Sequence, residues 1–184
     1  DGEASRVFDA ELRELLQSWW KFNSRRADLL GTVQFLRREA GRVLNIDFGN
    51  PFAQFDWPQM TRLTLLGELA RRLDEEKFGA EKKALGAWLA KKGISRDFLD
   101  ALDSARQDSA DEGADQRAPR KLMEEFLAKA VPRGFRSSEY PQIAYRAAQG
   151  VLKSELDSAA LFGECESLYD RLFRKQAETP EEQA

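Results

Sequence analysis

The chain has 184 residues, 42% of them hydrophobic and 33% charged, with a net charge of −3. This is a globular composition long enough to bury a core, and it lacks the basic excess of a dedicated nucleic-acid binder. There is no histidine and one cysteine, Cys165, which excludes imidazole catalysis, histidine metal sites and an intrachain disulfide.

Apolar residues recur at helical spacing almost throughout. Phe8, Leu12, Leu15, Trp19 and Phe22 share a stripe, with Leu16 beside it. Ser24 is the expected N-cap of a second helix, whose stripe is Leu29, Val33, Leu36, Ala40 and Val43, with Leu30 and Leu44 along one edge. The stretch NIDFGNPFAQFDWPQM, Asn45 to Met60, breaks this rhythm. Its Asp-Phe-Gly triplet has none of the accompanying kinase elements and is a chance match. Gly49 can turn and Pro51 biases Asn50 away from helix, so Phe48, Phe52, Phe55 and Trp57 are expected to fold onto the bundle as a lid or pocket wall. Asp56 and Gln59 have capping-box spacing, with Pro58 in the first turn. The third helix that follows carries Leu63, Leu65, Leu66, Leu69, Ala70 and Leu73 over nearly half its circumference, and is the expected central helix.

A fourth helix runs from about Phe78 to Lys92 and ends at Gly93, and Ser95 can cap a short fifth with Phe98, Leu99 and Leu102. Residues 105–117 are acidic, lack large apolar side chains and read as a linker. Leu122, Met123, Phe126 and Ala130 form a sixth stripe ending near Pro132. Tyr140 to Phe173 keep one helical phase, but Ser154, Glu155 and Ser158 interrupt it, which favours two helices meeting near Asp157 with Ser158 as cap. There is no period-2 alternation and no fixed-period repeat is expected. The fold class is therefore all-α, a helical bundle of seven or eight helices, in one domain or two packed lobes. The expected organisation is an N-terminal five-helix lobe over 5–104, a linker over 105–117, a C-terminal helical lobe over 118–176 and a disordered tail over 177–184. No apolar run approaches the ~20 residues that span a bilayer, and the opening residues do not read as a signal peptide. With one cysteine, a cytoplasmic location without membrane attachment is expected.

Three readings of function follow. Trp20 lies about 100° off the first stripe, and Phe35 lies roughly opposite Leu30 and Leu44, close to Arg38 and Arg42. Aromatics beside arginine have the composition of binding hot spots. The leading expectation is a non-enzymatic regulatory, adaptor or accessory module. It would dock a protein partner, or a second copy, through Trp20, Phe35, Arg38 and Arg42. The alternative is a nucleic-acid-associated subunit using Arg37, Lys91, Lys92 and Arg96, with Arg25 and Arg26 nearby, although Glu39 and Glu68 interleave these charges. The third is a Mg-dependent carboxylate enzyme built on Asp97, Asp100 and Asp103, which would need a second acidic helix facing them. No metal or other cofactor is expected, and Cys165, on the apolar face of the last helix, reads as a buried thiol.

Overall fold

The structure is a computed structural model and describes residues 2–24, 28–104 and 118–177. The expected acidic linker, the tail beyond Ala177, and Arg25 and Arg26 lie outside the described residues. Among those described, the fold is an all-α helical bundle with nine α-helices and no strand. In chain order they are α1 Gly2–Asn23, α2 Leu29–Leu44, α3 Pro51–Asp56, α4 Pro58–Arg72, α5 Glu75–Lys92, α6 Asp97–Ser104, α7 Ala118–Ala130, α8 Pro141–Ser154 and α9 Ser158–Ala177. The helix beyond the expected seven or eight is α3, one and a half turns inside the aromatic stretch. Two short 3-10 turns, Val131–Arg133 and Ser137–Glu139, join α7 to α8.

Contacts group the chain into two compact units. The first comprises the described residues up to Thr64 and from Asp157 onward, and the second is Leu65–Leu156. This departs from the lobes expected over 5–104 and 118–176. The reason is that α9 lies along α2 while α5 lies along α8, so neither unit is continuous with one half of the chain.

In the first unit, Leu15 and Phe22 of α1, Val33, Leu36 and Ala40 of α2, and Leu161, Cys165, Leu168, Tyr169 and Leu172 of α9 are buried together with Phe48, Trp57 and Met60. The Tyr169 hydroxyl reaches Ser18 Oγ at 2.7 Å, which satisfies the one polar atom of an enclosed ring. Asp28, not Ser24, caps α2: its carboxylate accepts from Leu30 N–H at 3.2 Å and Gly31 N–H at 3.0 Å. Ser24 instead donates to the Lys21 carbonyl as α1 ends. A Cβ at Gly31 would sit 2.8 Å from the Asp28 carboxylate oxygen, so a side chain there would shift that capping carboxylate slightly.

The start of α4 also differs from expectation. Its Gln59 and Met60 N–H groups donate not to Asp56 but to the two oxygens of Glu164 on α9, at 2.9 and 2.8 Å. The Gln59 side-chain oxygen accepts from Asp157 N–H at 3.0 Å, and Asp157 rather than Ser158 caps α9, accepting from Ala160 N–H at 3.0 Å. Only Gln59 and Met60 of α4 are buried, and Leu65 is 42% exposed. The broad apolar arc of α4 therefore does not make it the core helix.

In the second unit, Phe78, Leu85 and Leu89 of α5, Phe98, Leu99 and Leu102 of α6, Phe126 of α7, Phe135, and Ile143 and Ala147 of α8 form one cluster. Phe98 stacks on Phe126 at 4.2 Å, Phe126 meets Phe135 edge-on at 4.9 Å, and Phe135 stacks on Tyr140 at 5.7 Å. Asp74 caps α5, accepting from Glu76 and Lys77 N–H at 3.1 Å each. Gly93 ends the helix in the left-handed region at φ 64°, as its position suggests.

Candidate functional site

The site begins with the apolar composition of α1. Leu15–Leu16 and Trp19–Trp20 repeat an adjacent pair four residues apart, which writes two parallel stripes on one helix. One stripe, Leu15 with Phe22, is buried. The other is not: Leu16 is 46% exposed, Trp19 38% and Trp20 63%. Residues at i, i+3 and i+4 adjoin on a helix, so these three form one continuous apolar strip. Trp19 is fixed from one side by Phe173 of α9, edge to face at 6.2 Å. The patch thus carries large, rigid side chains over a packed base, the character of binding hot spots. Sequence reading singled out Trp20 but assigned Trp19 and Leu16 to the core. The doubled pairs were the available signal, because a single neighbouring helix covers only one such stripe.

The other expected docking residues assemble separately. Arg38 lies over the half-buried Phe35 ring at 5.2 Å. Its guanidinium bonds Glu39 at 2.9 Å and reaches Glu14 of α1 at 3.4 Å. Glu39 also receives Arg42 at 2.8 Å. Burial pulls the Glu39 carboxyl upward, but the bonds from Arg42 and Arg38 outweigh it and hold the group below its ordinary range. Phe35, Arg38 and Arg42 are therefore one cluster closed around Glu39, and Trp20 belongs with Leu16 and Trp19.

The aromatic stretch divides its four side chains. Phe48 and Trp57 are buried, and Arg37 covers Phe48 at 5.0 Å. Asn50 caps α3 by accepting from Phe52 N–H at 2.9 Å, with Pro51 in the first turn. The helix so started turns Phe52 and Phe55, three residues apart, outward at 79% exposure each. The expectation of a lid made by all four is corrected accordingly: two pack, and two project.

Of the basic residues expected at a nucleic-acid contact, Arg37 belongs to the first unit and Lys91, Lys92 and Arg96 to the second. Lys92 lies 5.9 Å from the Trp88 ring, and Arg96 lies against Gly86 of α5. Asp97 and Asp100 are exposed on α6, and among the described residues no three acidic or thiol side chains gather as metal ligands. Cys165 is fully enclosed, and burial, with Glu164 and Glu166 adding, pushes its thiol up to about 12. The second unit holds one feature that sequence reading missed, an apolar groove of about 410 Å³ between α7 and α8, floored by Phe126, Phe135 and Tyr140. Compared with protein-family models, with curated proteins and with solved structures, the chain matches none.

Proposed function

We propose that the protein is a docking module whose α1 strip, Leu16, Trp19 and Trp20, receives an apolar surface of a protein partner. The observation that carries this is the exposure of three adjoining large apolar side chains on a helix whose neighbouring stripe is buried. Exposed tryptophan adds nothing to the core, and two tryptophans with a leucine are what a partner's aliphatic or aromatic anchor would pack against. Phe52 and Phe55 offer a second apolar contact in the same unit. The Glu14, Arg38, Glu39 and Arg42 cluster supplies a charged border that fixes orientation more than affinity. An adaptor or accessory subunit fits this reading. Of the residues on which a nucleic-acid contact would draw, Arg37 already covers Phe48 and Lys92 lies over Trp88, which supports that alternative less.

The test is retention of a partner by the immobilised chain and by Trp20→Ala, after nuclease treatment. Loss of a hot-spot tryptophan weakens binding by about thirtyfold or more. A partner held by the wild type and lost by the variant, with the melting temperature unchanged, supports the reading. A partner held equally by both overturns it, as does retention that nuclease abolishes. Reversible self-association lost in the same variant would identify the partner as a second copy.

A further inference from the structure

We infer that α4–α5 and α8–α9 are two copies of one helix pair, and that each copy closes its first helix with the second helix of the other. Both pairs run from a helix beginning Pro-Gln, through a short turn ending in a capping aspartate, into a longer helix. Residues 58–92 and 141–175 then align without a gap at a fixed offset, 141 − 58 = 83. Ten of the 35 aligned positions are identical, among them Pro58/Pro141, Gln59/Gln142, Asp74/Asp157, Glu81/Glu164, Leu85/Leu168 and Leu89/Leu172. One offset shared by two copies, over mostly non-identical residues, is not a fixed-period repeat and has no periodicity to reveal it.

The hydrogen bonds match residue for residue. In the first unit, Gln59 and Met60 N–H donate to Glu164, Asp157 N–H donates to the Gln59 side chain, and Asp157 accepts from Ala160 N–H. In the second unit, Gln142 and Ile143 N–H donate to Glu81 at 2.8 and 3.1 Å. There, Asp74 N–H donates to the Gln142 side chain at 2.9 Å, and Asp74 accepts from Lys77 N–H. Every member of one set lies 83 positions from its counterpart in the other. Burial follows the same rule: Met60 and Ile143, Phe78 and Leu161, Leu85 and Leu168, and Leu89 and Leu172 are buried in both. Exposed pairs such as Glu75/Ser158 and Lys83/Glu166 have diverged.

The exchange is read from which copy supplies each carboxylate. Unexchanged copies would close the first helix of each pair with its own second, α4 with Glu81 of α5 and α8 with Glu164 of α9. The structure has the reverse pairing in both units. This is the arrangement of a domain-swapped dimer joined into a single chain.

Residue-resolved amide hydrogen exchange on the intact chain tests this. Each glutamate carboxylate accepts two backbone N–H groups, and bonds of this charged kind protect them. Glu164→Gln should accelerate exchange at Gln59 and Met60 by about tenfold, leaving Gln142 and Ile143 unchanged, and Glu81→Gln should do the opposite to a similar extent. The crossed pattern, with Glu164→Gln acting on Gln142 and Ile143, overturns the exchange, as does no response at either pair. Should both variants loosen the whole chain, a protease site inserted between Ser95 and Arg96 and cut after folding decides. The fragments must then co-elute until denaturant is added, because α4 is closed by α9 and α8 by α5. Fragments that part in native buffer refute the inference.

Discussion

Tyr169 and Trp20 mark the two extremes of residue environment in the first unit. Tyr169 is fully enclosed, and burial pushes its hydroxyl up to about 12 even though the bond with Ser18 opposes the shift. Trp20 is among the most exposed large apolar side chains described. Substitution should separate them. Leu168→Ala, beside Tyr169 in the core, should cost about 2–5 kcal/mol of unfolding free energy. Trp20→Ala should change it by less than about 0.5 kcal/mol, both measured by denaturant titration. A large destabilisation by Trp20→Ala would mean that its ring packs in the folded state. The core members of α1, α2 and α9 were legible because burial imposes a 3.6-residue period on the sequence. The caps were less so. Ser24 and Asp28 are both capable, and the chain uses the residue adjoining the first helical turn. Glu164 could not be recognised as the cap of α4, because it comes from 105 residues away.

At the scale of elements, the C-terminal stop at Gly93 was legible, N-caps were misplaced by a few residues at α2 and by one at α9, and the start of α4, completed by another helix, was not legible at all. The break between α8 and α9 was legible from its polar gap. Helix α3 was not, since six residues are too few to show a period, and its formation rests on Asn50 and Pro51. Charge at helix ends gives the fold a defined acid sensitivity. Asp74 is held below its ordinary range by N–H donation and pairing from Lys77, and Glu39 by its arginines. A carboxyl with a lowered folded-state pKa stabilises the fold above its unfolded value and ceases to do so as pH falls through the folded one. Stability should therefore fall in alkali, where Cys165 and Tyr169 ionise more readily in the unfolded chain, be level from about pH 8 to about pH 5, and decline below about pH 4. In thermal melts over that range Asp74→Asn should flatten the decline, and an unchanged slope would remove Asp74 as a source.

At the scale of the whole molecule, the all-helical class was legible from composition and period, and the grouping of the helices was not, because α9 lies along α2 and α5 along α8, pairings that order along the chain does not suggest. The chain passes between the two units twice, within α4 at Thr64–Leu65 and at Leu156–Asp157. The first crossing lies inside a continuous helix, so fraying on one side removes hydrogen bonds on the other. Calorimetry should show one unfolding transition for the wild type. Two glycines inserted after Thr64 should resolve it into two. Two transitions in the wild type would mean that α4 does not couple the units. The supply of a closing helix by the opposite half also orders events during synthesis. The second unit has all its helices once α8 has left the ribosome. The first must wait for α9, the last helix described, with the apolar faces of α1 and α2 already made and uncovered. The tryptophan-bearing helix thus waits for its companion until α9 emerges, an interval in which the nascent chain presents uncovered apolar faces to chaperones.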